Sequence, residues 1–122
     1  MADITYGVSL RVTKGFLSNT VNVNAATAAM AQTGMVSQTL TLSPNAVSIS
    51  TANLSSAGLA FVQNLSTNTA YTAALGVFSG GSFVGFSELR SGEPAIIRLS
   101  AGAQYQAKGS SGSLIRVDIT EG

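Results

Sequence analysis

Residues 83–99, FVGFSELRSGEPAIIRL, decide how the chain folds, because two apolar runs flank a turn signal. The turn signal is Ser91-Gly92-Glu93-Pro94, in which glycine tolerates positive φ and proline fixes φ and lacks an N–H donor. The stretch therefore predicts two antiparallel strands joined by a loop of several residues. It also carries a large share of the chain's few charges, at Glu88, Arg90, Glu93 and Arg98.

Apolar and polar residues alternate in both directions from this stretch. Residues 4–12, 20–25, 35–42 and 115–119 place apolar side chains at every second position, which is the period of a half-buried strand. The strongly apolar residues 59–65 predict a central strand. Turn signals recur about every 8–12 residues, as in antiparallel sandwiches and barrels. We expect an all-β fold, an antiparallel β-sandwich of nine or ten short strands forming a single domain over residues 1–122.

Two segments are harder to assign. Residues 25–34, AATAAMAQTG, contain good helix formers, but the segment is short and has no capping box. A helical turn or an irregular crossover fits it as well as a strand. Phe16 and Leu17 follow a Lys-Gly turn, and we expect them to tuck under the loop that comes next.

The distribution of charge is unusual, because no charged residue occurs between Lys14 and Glu88. About a quarter of the residues in an ordinary soluble domain are charged. One explanation is a free-standing β-domain with a face rich in serine and threonine. The other is a surface that packs against further subunits, where charges would have to be desolvated. We favour the second explanation.

The residue types present argue against catalysis. The chain contains no Cys and no His, so it lacks thiolate chemistry, the commonest general base and the commonest metal ligand. Glu88 and Glu93 could approach each other as a carboxylate pair of the kind that glycosidases use. Both lie near basic residues at a turn, which is typical of solvated or paired carboxylates. We expect no enzymatic activity, no cofactor and no metal site.

Charge and hydropathy also argue against nucleic acid and membrane partners. Six basic and five acidic residues are scattered along the chain and form no basic stripe. No apolar run is long enough to cross a bilayer, and the start MADITYG lacks the pattern of a signal peptide. We therefore expect a protein that is made in the cytosol and is not secreted.

Several short motifs resemble those of one group of proteins. The chain carries an FxxNL motif, then LxxGE, then an RL pair, a YQAK segment and a closing apolar strand. This order is similar to that of small tailed-bacteriophage virion proteins of the capsid decoration, or cement, type. The motifs lie at Phe61–Leu65, Leu89–Glu93, Arg98-Leu99 and Tyr105–Lys108, and the N-terminal VSLRVTKG fits the same group.

The resemblance implies a jelly-roll-like β-sandwich that assembles as a homotrimer on the outer surface of a phage capsid. Its partners would be further copies of itself and the major capsid protein, and it would be made in the host cytoplasm and reside in the virion. Candidate contacts with the shell are Asp3, Glu88, Arg90, Glu93, Asp118 and Glu121. Candidate residues of the subunit interface are Val21, Val23, Val36, Leu40 and Leu42.

Two other functions fit the sequence. Within the same class, the protein could be a structural component of the phage tail or neck. From a different class, it could be a carbohydrate-binding module used in host recognition. An exposed cluster of Tyr71, Tyr105 and a phenylalanine in one groove would favour the second alternative.

Overall fold

A computed structural model describes residues 3–30, 32–52, 54–100 and 102–122, and these residues form ten strands and no helix. The expected all-β class and strand number are confirmed. No helix in the described part of the chain has the length and apolar character needed to cross a membrane. The strands are β1 (Ile4–Lys14), β2 (Leu17–Ala28), β3 (Met35–Thr41), β4 (Val47–Ser48), β5 (Ala57–Asn64), β6 (Thr72–Ser79), β7 (Ser82–Arg90), β8 (Pro94–Arg98), β9 (Tyr105–Gly109) and β10 (Leu114–Glu121).

The chain divides into two compact units, Met1–Ala31 and Gln32–Gly122. The first is a hairpin in which β1 pairs antiparallel with β2. Gly15, at a φ of 58°, makes the tight turn between them. Since β2 continues to Ala28, residues 25–28 are strand and not the helical turn that their composition also allowed. Phe16 is fully exposed at the turn, so the prediction that it is tucked under a loop is wrong.

The second unit is a sandwich of two four-stranded antiparallel sheets with the strand orders β3-β10-β5-β8 and β4-β9-β6-β7. The pairs are nested along the chain: β6 pairs with β7, β5 with β8, β4 with β9 and β3 with β10. Eight strands paired in this way form a jelly roll. The predicted central position of residues 59–65 is confirmed for β5, which lies between β10 and β8.

The sequence predicted that the turn at residues 91–93 joins two strands that pair with each other, and this prediction is wrong. Strand β7 pairs with β6, whereas β8 pairs with β5 in the other sheet, so this turn carries the chain across the sandwich. The buried side chain of Asn64 fixes the crossing, because its Nδ2 donates to the Leu89 carbonyl at 3.1 Å. The Asn64 backbone bonds both ways as well, donating to the Glu93 carbonyl and accepting from the Gly92 N–H.

The core lies between the two sheets and is built from alternate residues of the central strands. Its largest fully buried apolar side chains are those of Leu42, Ile115, Val117 and Ile119. A cavity between the sheets, lined by Val62, Leu75 and Val117 among others, has a volume of about 10 Å³, close to the least that holds one water molecule. This cavity is too small for a ligand larger than water.

Two residues expected at a subunit interface, Leu40 and Leu42, serve this core instead, and a third, Val36, lies on the same side of β3 as Leu40. Leu42 is only 1% exposed and belongs to the buried cluster. Leu40 packs against that cluster and is paired with Ile115. Val36 is half-buried opposite Ile119. The alternation of β3 was interpreted correctly, but its apolar side faces the subunit's own second sheet.

Replacing Leu42 with Ala should therefore lower the free energy of unfolding of the sandwich by about 2–5 kcal/mol, the usual effect of a large-to-small change in a core. Met35 begins β3, the strand that ends just before Leu42, and it is 57% exposed. Met35→Ala should therefore change the free energy of unfolding by less than about 0.5 kcal/mol. Urea denaturation followed by circular dichroism measures both. Equal effects of the two changes would contradict the core position of Leu42.

Candidate interaction surfaces

One side of the β1–β2 hairpin is apolar and exposed. Cross-strand pairing brings Val8 next to Val23 and Leu10 next to Val21. Their side chains are 48–56% exposed, although strand residues of this type are normally buried. We call this surface, with Tyr6 at one end, the hairpin face.

The opposite side of the hairpin is polar. Its cross-strand pairs are Ser9 with Asn22, Arg11 with Thr20 and Thr13 with Ser18. A two-stranded hairpin is marginally stable in water unless its apolar side is covered. Val21 and Val23, two of the residues expected at a subunit interface, lie on the hairpin face. Val8 and Leu10 share this surface but were missed, because alternation marks the apolar positions of a strand without revealing its register with another.

A second surface, on the sandwich, carries charge. Strand pairing aligns Glu88, Ala74 and Lys108 in one row across the outer side of β7, β6 and β9. Arg90 lies beside this row, opposite Thr72. An open groove of about 280 Å³ runs between Glu88 and Lys108 and is also lined by Pro44 and Gly109. We call this surface, with Glu88, Arg90 and Lys108, the charged face.

An aromatic ring extends the charged face at one end. The Phe83 ring lies over Gly76, where a Cβ atom would approach its ring carbons to 2.7 Å. Position 76 therefore needs glycine if the ring is to lie flat against the sheet. The Lys108 Nζ lies 4.8 Å from the centroid of the same ring, within the range of a cation–π contact. Lys108 was not predicted as a site residue; the only signal was that Gln104, Gln106 and Lys108 alternate with apolar residues.

Two other predicted contact residues hold local backbone. Glu93 is exposed at the turn, and its Oε1 accepts a hydrogen bond from the Arg90 N–H at 2.6 Å. Asp3 belongs to the hairpin unit, where its Oδ2 accepts from the Met30 N–H at 2.9 Å. Both side chains thus have structural roles and still reach solvent.

Asp118 and Glu121 are buried, at 7% and 2% exposure, so their carboxylates do not offer a surface to a partner. Asp118 lies between Ser37 and Phe61 in the sheet, and its Oδ2 pairs with the Arg116 Nε at 2.7 Å. The sequence placed both acids near the end of the chain and could not show that the last strand is central in its sheet.

Glu121 ties the loop before β5 to the end of β10. Its Oε1 accepts from the Ser55 N–H at 2.9 Å and from the Ser56 N–H at 3.3 Å. Its Oε2 has no hydrogen-bond partner among the described residues and lies close to Gly34, where a Cβ would come within 3.0 Å of it. A carboxylate here supplies acceptors that the loop backbone would otherwise lack.

The two tyrosines whose clustering would favour sugar binding do not share a groove. Tyr71 immediately precedes β6, whereas Tyr105 is paired with Val77 near the other end of that strand. Six residues of strand separate the two positions by about 20 Å. The Tyr105 hydroxyl also accepts a hydrogen bond from the Ser100 N–H at 2.7 Å, and its ring packs against the core.

The acidic residues do not assemble into a metal-binding group. Within the ranges that the structure describes, no three of the residue types that ligate metals through acid, imidazole or thiol groups come together. Glu88 lies within β7, on the outer side of its sheet, and Glu93 is bonded into the turn that follows that strand. The described geometry therefore offers surfaces for contact, and the surfaces are its candidate functional sites.

Replacing Glu121 with Ala should lower the free energy of unfolding by about 1.5–3 kcal/mol, because two backbone donors would lose a charged acceptor. The exposed Glu88 provides the control, since Glu88→Ala removes the same charge without taking an acceptor away from a backbone N–H group. Thermal unfolding of both variants measures the difference. A variant at position 121 that is as stable as the variant at position 88 would show that the loop does not depend on this carboxylate.

No protein-family model matches the chain, and a search of curated proteins finds no significant match.

Proposed function

We propose that the chain is a non-enzymatic structural subunit of a phage virion, which binds to the outside of the capsid shell and stabilises it. The observation that carries the proposal is the nested pairing of eight strands around a filled interior. Jelly rolls of this type are found in viral capsid proteins, lectins and cupins. The fold is shared among these classes, so the choice between them rests on the sites.

The filled interior favours a role for the surface. A jelly roll that binds a small molecule between its sheets needs space there, and the cavity found there has a volume of about 10 Å³. A group of aromatic rings in one groove would favour a lectin-like role, whereas Tyr71 and Tyr105 lie near opposite ends of β6. Both observations favour a function in which the surface of the subunit contacts other proteins.

The charge distribution supports contact with many neighbouring subunits. No charge occurs from residue 15 to residue 87, so surfaces built from this part of the chain can be buried against protein at little desolvation cost. A decorated shell repeats each contact many times. Modest individual contacts are then sufficient, because linked copies bind with an avidity greater than that of a single contact.

The charged face is the surface that we assign to the shell. Glu88 and Arg90 are exposed, and Lys108 extends the face across the sheet. Charges at the rim of an interface select the partner and its orientation more than they add affinity. The proposed mechanism is that this face orients each subunit on the shell, while contacts between subunits close a homotrimer that bridges neighbouring capsomers.

The test is co-sedimentation of the purified protein with empty shells assembled from the major capsid protein of the same genome. We expect saturable binding that Arg90→Glu weakens at least about tenfold, or about 1.4 kcal/mol. Arg11→Glu makes the same change of charge on the polar side of the hairpin and should leave binding unaltered. Light scattering should give a solution mass near three times 12.3 kDa.

The outcomes separate the proposed role from its alternatives. Binding to purified tails instead of shells would replace the capsid role with that of a tail or neck component. Binding to a glycan array without binding to either particle would favour the carbohydrate-binding module. Failure to bind all three would overturn the proposal of a virion structural role.

A further inference from the structure

We infer that β2 of one copy of this chain pairs antiparallel along the free edge of β3 in a second copy. Each subunit thus donates one strand edge to a neighbour and receives another in return. The inference deepens the proposed function by naming the contact between subunits, and it rests on that function only for the number of subunits in the ring. The pairing itself holds or fails independently of the capsid role.

Six strands lie at the edge of a sheet, and four of them are protected against pairing with another chain. Soluble proteins protect a free edge with a short strand, a charge, a proline or irregular pairing. Strand β4 has two residues, and β7 carries two charges and a pairing irregularity. Strand β8 contains Pro94 and Arg98. Strand β1 carries Arg11 and Lys14, which are the two charges of the hairpin strands.

The edges of β2 and β3 lack this protection. Strand β3, residues 35–41, has no charge and no proline, and its pairing with β10 is regular along its whole length. Residues 17–23 of β2 have no charge and no proline either, and the irregular pairing lies beyond them, at residues 24 and 25. Among the described residues, each of these strands has a partner strand on one side only. Such edges are suited to pairing with another strand.

The backbone groups that face the free edge of β3 follow from its hydrogen bonds with β10. The Leu42 N–H donates to the Ser113 carbonyl at 2.7 Å, in register with the pairs of the two strands. Because backbone direction alternates along a strand, the even-numbered residues of β3 direct their N–H and C=O groups to β10. Ser37, Thr39 and Thr41 therefore direct theirs to the free edge, where no described strand pairs with them.

The same reasoning assigns the free edge of β2. Lys14 and Leu17 close the two-residue turn of the hairpin and pair with each other across it. Leu17 and the odd-numbered residues that follow it, as far as the irregularity, therefore direct their backbone groups to β1. Ser18, Thr20 and Asn22 direct theirs to the free edge. Each edge thus offers three residues for a regular antiparallel ladder.

The side chains of the two edges match in one register. On one side of the joined sheet that register sets aliphatic against aliphatic and amide against amide, as Leu17 with Leu40, Asn19 with Gln38 and Val21 with Val36. On the other side it pairs Ser18 with Thr39, Thr20 with Ser37 and, at the end, Asn22 with Met35. A shift of β2 by two residues in either direction sets Asn19 against an aliphatic side chain. Cross-strand pairs of this kind contribute to stability and fix the register.

The two matching edges belong to the same chain, which identifies a second copy as the partner. Since the donating and receiving edges differ, the contact is heterologous and repeats around a ring in which no such edge stays free. A ring of three is the homotrimer of the proposed function. Within one chain, β3 follows the irregular end of β2, and the regular residues 17–23 are the part of β2 furthest from it in sequence. Pairing with β3 also gives the hairpin the third strand that a two-stranded sheet needs for stability in water.

The absence of cysteine from the sequence allows a direct test by disulfide formation. Thr20 and Ser37 are exposed, and in the inferred pair their Cα atoms lie about 5.5 Å apart, a distance that a disulfide spans. The Thr20→Cys/Ser37→Cys variant is oxidised, and its products are separated by denaturing electrophoresis without reductant. We expect covalent oligomers of up to three chains as the main product.

The matched control for the cross-link is Thr13→Cys/Ser37→Cys. Thr13 is also an exposed threonine on the polar side of the hairpin, but it lies on β1, one strand further from the inferred contact. Its yield of covalent oligomers should be at least tenfold lower.

A second test removes a backbone donor and does not depend on cross-linking. The Thr20 N–H faces the neighbouring β3 in the inferred pair, so Thr20→Pro removes a hydrogen bond between subunits and keeps those between β1 and β2. Thr13 provides the control again, because its N–H faces the free edge of β1. By light scattering, Thr20→Pro should give the mass of a monomer and Thr13→Pro the mass of the unmodified protein. Circular dichroism should show the same strand content in both variants.

Three results would overturn the inference. The first is a monomeric mass for the unmodified protein at all concentrations tested. The second is a Thr20→Cys/Ser37→Cys variant that closes within a single chain at a yield independent of concentration. The third is a Thr20→Pro variant with the mass of the unmodified protein. Covalent products of two chains at most would support the pairing and refute the trimer of the proposed function, and loss of shell binding with intact cross-links would refute the capsid role alone.

Discussion

The sandwich depends on the position of β10 between β3 and β5. Its residues Ile115, Val117 and Ile119 are at most 1% exposed, and they connect the inner sides of both neighbouring strands into one apolar surface. The last strand of the chain thus supplies the middle of a sheet. The consequences reach the end of that strand, where Glu121 holds the loop that leads into β5. Residues that look terminal in sequence are central in space.

Two surfaces remain after the core is complete, and they differ in what they can bind. The charged face combines opposite charges with one aromatic ring held flat over Gly76, an arrangement suited to an oriented, salt-sensitive contact. The hairpin face has no charge, and burial of its valines and Leu10 favours association without selecting a partner by charge. Under the proposed function, the two surfaces would separate attachment to a shell from attachment to further copies of the chain.

The alternation of apolar and polar residues predicted most of the strands. It could not predict how the strands pair, and most of the wrong predictions concern residues whose surroundings depend on that pairing. The alternation in β1, β3 and β10 identified which side of each strand is apolar, but not what that side meets. Leu42 was therefore assigned to an interface although it fills the core. Asp118 was assigned to the surface because a carboxylate late in a chain is normally solvated. The nested order of strand pairs, which no local pattern encodes, decides both cases.

The turn at residues 91–93 shows the same limit at a smaller scale. Glycine and proline signal that the chain changes direction, and that part of the prediction was right. Whether the next strand returns to the same sheet or enters the other one depends on Asn64, almost thirty residues earlier, which bonds to the backbone on both sides of the turn. Of the two surfaces, sequence reasoning found Glu88, Arg90, Val21 and Val23, whose types and positions were informative by themselves.

The nested pairing also sets an order in time. The hairpin is complete once Ala28 has been synthesised, whereas the pair β3–β10 cannot close before Glu121 has been made. At about 5–20 residues per second, the residues of the hairpin are complete roughly 5 to 20 s before those of the sandwich. Contacts that link distant parts of a chain also form slowly. During this interval the uncharged residues of β2 are already present, whereas the sheet that contains β7 is incomplete. Crowding of nascent chains on one messenger RNA is therefore the condition under which premature edge-to-edge pairing is most hazardous to this protein.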